Sequence, residues 1–143
     1  MARIKIDIPD LFSFKTKIPV RITDINYGGH VGNDTILSLL HEARMQFLHH
    51  YGYTEMNVAG VGLIMSDAAI EFKSELFYGD VVLISVAVAD ISKVSFELFY
   101  KAEKEVNGKS VTVALAKTAM ICYDYSLKKI TALPAEAKAV LSA

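Results

Sequence analysis

The chain has 143 residues, a length that suits one compact domain, and no shift in composition marks a boundary within 1–143. Fifteen Lys and Arg against sixteen Asp and Glu, with pI near 6.4, leave no broad charged field to attract nucleic acid or an anionic bilayer. A hydrophobic share of 52% is rich for a monomer of this size and predicts a homo-oligomer, dimer or tetramer, whose contacts cover apolar surface.

In chain order, the first seven residues alternate charge with apolar side chains and form no signal-type apolar block. From Phe12 to Ile22 the alternation is clean, with Phe12, Phe14, Thr16, Ile18, Val20 and Ile22 on one side, which predicts a half-buried strand; Pro19 places it partly unpaired. A glycine-containing loop covers Thr23 to Asn33. Ile36, Leu40, Ala43, Phe47 and Tyr51, widened by Leu37, Arg44 and Leu48, then form a stripe at helical spacing, with Ser38, Glu42, Met45 and His49 opposite. This predicts the longest helix, capped by Asn33 or Asp34 and closed at Gly52. Strands follow over Leu63–Leu76, Val81–Ile91, Val94–Val106 and Lys109–Tyr125, the last two joined by the hairpin pair Asn107-Gly108. A meander is expected, then a short helical end from Pro134. The apolar stretches Met56–Met65 and Val81–Ala89 are too short to span a bilayer and read as core strands or buried loops. Cys122 stands alone, which excludes an internal disulfide, fits a cytoplasmic setting and reads as a core residue. One long helix and a mainly antiparallel sheet of five to six strands define an α+β layer arrangement.

The chemistry concentrates in Asp24-Ile25-Asn26-Tyr27-Gly28-Gly29-His30-Val31-Gly32-Asn33, followed on the helix by Glu42-Ala43-Arg44. This segment resembles the loop-plus-helix signature of hotdog-fold thioesterases, the group of 4-hydroxybenzoyl-CoA and acyl-CoA thioesterases, whose pattern runs Asp-x-Asp-x-x-Gly-His-Val-Asn-Asn. Asp24, Gly29, His30, Val31, Asn33, Glu42 and Arg44 match. Ile70-Glu71-Phe72-Lys73, Tyr78-Gly79-Asp80, the strand Ala116–Asp124 and Leu133-Pro134 extend the likeness over nearly the whole chain. The resemblance implies a central helix wrapped by a curved sheet and hydrolysis of an acyl-CoA or acyl-carrier-protein thioester. It implies no metal and no cofactor beyond the coenzyme A of the substrate.

A glycine-rich turn running into a helix start offers backbone N–H groups and the positive end of the helix dipole to an oxyanion. By resemblance, the amides around Gly29 and His30 polarise the thioester carbonyl, with Tyr27, Gly28, Val31, Asn33, Asp67 and Lys73 as substrate-binding candidates. The pattern departs at Asn26, where the family carries its working Asp; an amide is no base at neutral pH, so Asn26 is left to position water or carbonyl. Glu42, twelve residues after His30, becomes the leading base, with Asp24 as substitute. Asp67 interrupts an apolar run and needs a partner if buried. His41, His49 and His50 have no acid or cysteine at a recognised metal-ligand spacing. Arg44 is expected in an ion pair, and Phe96 to Tyr100 in the strand core. Two other functions compete with hydrolysis: an acyl-thioester-binding hotdog protein that has lost its carboxylate at Asn26, and a hotdog hydratase or dehydratase using His30 with Glu42.

Overall fold

The N-terminal alternation becomes strand β1, Phe14–Pro19, in the computed structural model, which describes residues 3–143. Ile18 and Val20 point inward and Lys15 and Lys17 outward, as the period of two requires. The strand is shorter than the alternation predicts. Ile22–Asp24 turn into a single 3-10 turn, and Ile22, expected on the inner side, is exposed.

The long helix α1 runs Asn33–His50 and buries Ile36, Leu39, Leu40, Ala43, Arg44, Phe47 and Leu48. The buried stripe is centred closer to Leu39 than the sequence spacing predicts; Leu37 is exposed and Leu39 takes its place. Gly32 occupies the N-cap position with no side-chain cap, so Asn33 is already helical and neither it nor Asp34 caps. The other end closes as expected. Gly52 takes φ +80°, its N–H donates to the His49 carbonyl, and Tyr53 donates to Leu48.

Strands β2 (Gly62–Phe72), β3 (Val81–Ala89), β4 (Ser95–Val106), β5 (Lys109–Asp124) and the two-residue β6 (Lys129–Ile130) complete the sheet, and α2 (Ala135–Ser142) ends the chain. The spatial order is β1-β3-β4-β5-β2, all antiparallel, with β6 on the end of β5. Only β3, β4 and β5 form a meander. Contrary to the simple succession expected, β2 pairs with β5 at one edge of the sheet. The chain between β2 and β3 passes the start of α1, where Val31 N–H donates to the Leu76 carbonyl and Val20 N–H to that of Asp80. Asn107 and Gly108, both with positive φ, make the β4–β5 hairpin as predicted.

The inward faces of β4 and β5, Phe96, Leu98 and Tyr100 with Ala114, Ala116, Met120 and Cys122, join Phe47 and Leu48 of α1 in one core. Alanines beneath the helix let it lie close to the sheet. This is the hotdog arrangement, one long helix against one curved sheet. Met56 and Met65, placed by their apolar run in a core strand or buried loop, are both more than half exposed.

Candidate active site

The loop before α1 is closed by its own hydrogen bonds. Asn26 N–H donates to the His30 carbonyl at 2.9 Å and Gly29 N–H to the Asn26 carbonyl at 3.1 Å. The Asn26 side-chain oxygen accepts from Gly28 N–H at 2.9 Å and from His30 N–H at 3.4 Å. Gly29 has φ +86°, a backbone conformation that strains any residue with a Cβ, which explains the glycine there. The amides of Gly28, Gly29 and His30 are therefore held by the turn, that of His30 by a long bond. The uncapped first turn of α1 lies directly downstream and supplies further N–H groups. Asn26 positions backbone in this chain.

The sequence-selected side chains divide between the two flanks of α1. His30, Val31, Asn33 and Lys73 line a depression of about 250 Å³ on the β2 flank. His30 sets Nδ1 3.1 Å from the Val31 carbonyl, and Lys73 pairs with Glu71 at 3.1 Å. Glu42 and Asp24 line a different depression, of about 320 Å³, on the β1 flank with Lys17 and Arg21. Glu42 is exposed and accepts from Gln46 Nε2 at 3.0 Å. Asp24 is buried and its carboxylate takes the Arg21 N–H at 2.8 Å and the Arg21 guanidinium at 3.3 Å, which fixes the 3-10 turn. Tyr27 is fully exposed at the loop tip.

Asp67 joins neither group. It follows a register shift in β2, stays exposed, and pairs at 2.9 Å with Lys117, which also holds Glu97 at 2.9 Å. Lys117 and Glu97 alternate with the core-facing Thr118 and Leu98, so this triad sits on the sheet face away from α1. Lys117 is held above its ordinary pKa by its bonds to Asp67 and Glu97.

A polar network of which the sequence singled out only Arg44 as an ion-pairing residue crosses the middle of α1. Buried Arg44 donates from Nε to Glu55 at 3.1 Å and from Nη1 to the Tyr100 hydroxyl at 3.2 Å. The Tyr100 and Thr118 hydroxyls are 2.7 Å apart, and the other Glu55 oxygen meets His41 Nε2 at 2.5 Å. Burial opposes the Arg44 charge, but Tyr100 and Glu55 outweigh it and hold the guanidinium above its ordinary range. Burial likewise pushes the Tyr100 hydroxyl up, so it stays a neutral O–H. The ion pair expected of Arg44 is present; its partners lie 11 and 56 residues away, beyond any local spacing rule. Thr118, the one hydroxyl in the inward row Ala114, Ala116, Thr118 and Met120, was the only signal available.

Among the described residues no three His, Cys, Asp or Glu side chains gather as a metal site, and no helix is long and apolar enough to cross a membrane.

A 1,4-dihydroxy-2-naphthoyl-CoA thioesterase from Synechocystis has a solved structure that matches with a TM-score of 0.79, covering 90% of this chain and 95% of that one. At 22% identity, that likeness defines the hotdog fold. The Thioesterase-like superfamily pattern matches residues 20–141, and the chain belongs to that superfamily. Two curated relatives are similar over most of their length. The 1,4-dihydroxy-2-naphthoyl-CoA hydrolase of Nostoc punctiforme is 31% identical over 130 residues, 87% of this chain and 83% of that protein. Its namesake in Microcystis aeruginosa is 30% identical over 122 residues, 83% of this chain and 86% of that protein.

Proposed function

We propose that the chain hydrolyses an acyl-CoA thioester to a free acid and coenzyme A, with coenzyme A entering only as part of the substrate. The observation that carries this is the uncapped start of α1 directly after the Gly-Gly-His turn, in the loop whose residues carry the resemblance. N–H groups there meet the negative charge that develops on the carbonyl oxygen when water attacks. Glu42, the base expected from the sequence, is exposed with no cation paired to it among the described residues, but it lines the β1-flank depression while His30 and Asn33 line the one on the β2 flank, so within one copy it does not reach a carbonyl held at the loop. The acyl carrier is coenzyme A in this proposal, after the two curated relatives, and a carrier-protein substrate is the variant to compare.

Self-association belongs to the same proposal. Strand β2 is an edge of eleven residues whose backbone groups at Leu63 are met by the Glu55 carbonyl and the Tyr125 hydroxyl; beyond Leu63 it carries the exposed Met65 and Phe72. A second copy pairing along it covers that apolar surface in a homodimer or in the dimeric half of a homotetramer.

The deciding experiment is thiol release from a panel of short, long and aromatic acyl-CoAs. Turnover on one class supports hydrolysis, and none on any class removes it. A second function has its own support: the amide at Asn26 is committed to the loop and leaves the family's carboxylate position empty of a base, as in a protein that holds acyl thioesters without cleaving them. Tight binding without thiol release decides for that alternative.

A further inference from the structure

Hydrolysis at the loop needs a base beside the carbonyl, and the side chains around the loop supply no oriented one. Asn26 is an amide, Asp24 is tied to Arg21, and Glu42 opens on the β1 flank. His30 turns Nδ1 to the Val31 carbonyl, and among the described residues no carboxylate bonds its ring.

An oriented acid–base pair stands farther along α1, on the β2 flank. His41 sets Nε2 2.5 Å from one Glu55 oxygen, and the other Glu55 oxygen takes the Arg44 guanidinium at 3.1 Å. Ionised beside Arg44, Glu55 only accepts, so in the neutral imidazole Nε2 carries the proton and Nδ1 keeps its lone pair. Among the described residues nothing bonds Nδ1. A carboxylate placed this way fixes the tautomer and steadies the imidazolium, while the free nitrogen takes a proton. His41 lines two depressions, one of about 260 Å³ against β2 and β5 and one of about 640 Å³ that it shares with Glu55 and Met65.

Within one copy that pair stands too far from the loop. His41 follows Asn33 by eight residues, about 12 Å of helix at 1.5 Å per residue, whereas a base must come within about 3 Å of the water it activates. A second copy closes the gap. Beyond Leu63, the open edge of β2 runs from Met65 to Phe72. Met65 shares both depressions with His41, and Phe72 shares the depression of His30 and Asn33. Two such edges pairing antiparallel about the middle of that stretch, near Ala68 and Ala69, set the His41 end of each copy opposite the helix start of the other.

We infer that His41, oriented by Glu55, is the catalytic base, and that it acts on a thioester whose carbonyl is held at the helix start of the partner subunit. The inference rests on the hydrolysis and self-association proposed above, and it names the base and the copy that supplies it. The water oxygen bonds to the thioester carbon as its proton passes to His41 Nδ1. The C–S bond then breaks with its electron pair on sulfur, and the imidazolium returns the proton, giving the acid and the free thiol. Glu55 and Arg44 touch neither water nor substrate; they position the ring.

Thiol release from acetyl-CoA, benzoyl-CoA and palmitoyl-CoA is followed for the full native chain and for His41→Ala, His30→Gln, Glu55→Gln and Asn33→Pro, each checked for native melting. His41→Ala is expected to lower kcat at least about a hundredfold with KM little changed, and added imidazole to restore part of it. Glu55→Gln is expected to lower kcat by about tenfold or more at similar KM, and His30→Gln by far less. Proline suits the first helical position but lacks the N–H there, so Asn33→Pro disables the carbonyl end alone. Refolded together in equal amounts, His41→Ala and Asn33→Pro should regain about a quarter of native activity, because about half of the dimers are mixed and each mixed dimer keeps one intact site of its two. Turnover that survives His41→Ala, a loss that imidazole leaves in place, a larger loss in His30→Gln, or no recovery in the mixed preparation overturns the inference and leaves hydrolysis standing. A native chain that releases no thiol from any of the three probes removes hydrolysis itself, and the base with it.

Discussion

Arg44 on α1 donates to the Tyr100 hydroxyl on β4 at 3.2 Å, so the central helix is joined to the sheet by a charged hydrogen bond inside the core. Tyr100 is completely buried, and its hydroxyl serves Arg44 on one side and Thr118 on the other. Replacing it by Phe keeps the ring and strips a partner from two buried groups at once. Tyr100→Phe is expected to lower unfolding free energy by about 1–3 kcal/mol, whereas Tyr27→Phe at the exposed loop tip changes it by less than about 0.5 kcal/mol. Urea denaturation of both variants checks the contrast; equal losses would deny the network its structural role.

Glu55 links that network to acid stability. Burial raises its pKa, but the His41 hydrogen bond and the Arg44 guanidinium pull harder and leave it below the ordinary 4.5. A carboxylate depressed in the folded state contributes stability that is complete above its unfolded value and is lost as pH falls through the folded one. The native chain is therefore expected to lose stability below about pH 4.5 more steeply than Glu55→Gln, which starts less stable at neutral pH. Urea midpoints between about pH 6 and pH 3 reveal it. Parallel curves would show that the pair contributes nothing in solution.

At Asn26 the loop geometry makes a clean chemical test. Asp has the same shape and keeps the acceptor oxygen used by Gly28 and His30, so Asn26→Asp alters basicity with little change in fold. Thiol release is expected to rise at least about tenfold if the loop position remains competent for base catalysis. An unchanged kcat places the working base elsewhere.

Cys122 bears on how these assays are read. Burial pushes its thiol up to about 11, with the side chain wholly buried in the core. A thiol reagent at neutral pH is expected to leave the native chain unlabelled for the length of an assay and to titrate one equivalent only after denaturation. Fast labelling of the folded protein would contradict the packing around β5.

Much of the architecture was legible because it depends on local periods. The alternation of β4 and β5, the Asn107-Gly108 turn and the Gly52 helix end each arise from residues adjacent in sequence, and each formed as read. Sheet order was not legible, since β2 reaches β5 across about fifty intervening residues and no periodicity encodes that choice. The candidate site behaved likewise. The Asn26–Asn33 loop announced itself by its residues, whereas Asp67 looked like a buried acid only because its run is apolar; the bulge after Met65 and the cation Lys117 on the neighbouring strand put it outside. Thr118 and Tyr100 became polar floor through pairing across strands, a relation invisible in one dimension.

The two outer strands of the sheet, β1 and β2, flank α1 in sequence while β3, β4 and β5 occupy the middle. The helix is thereby tethered to opposite rims, and neither rim can zip up before a central platform exists to receive it. Refolding should nucleate in the C-terminal hairpins, with the N-terminal half arriving last as a strap drawn across them.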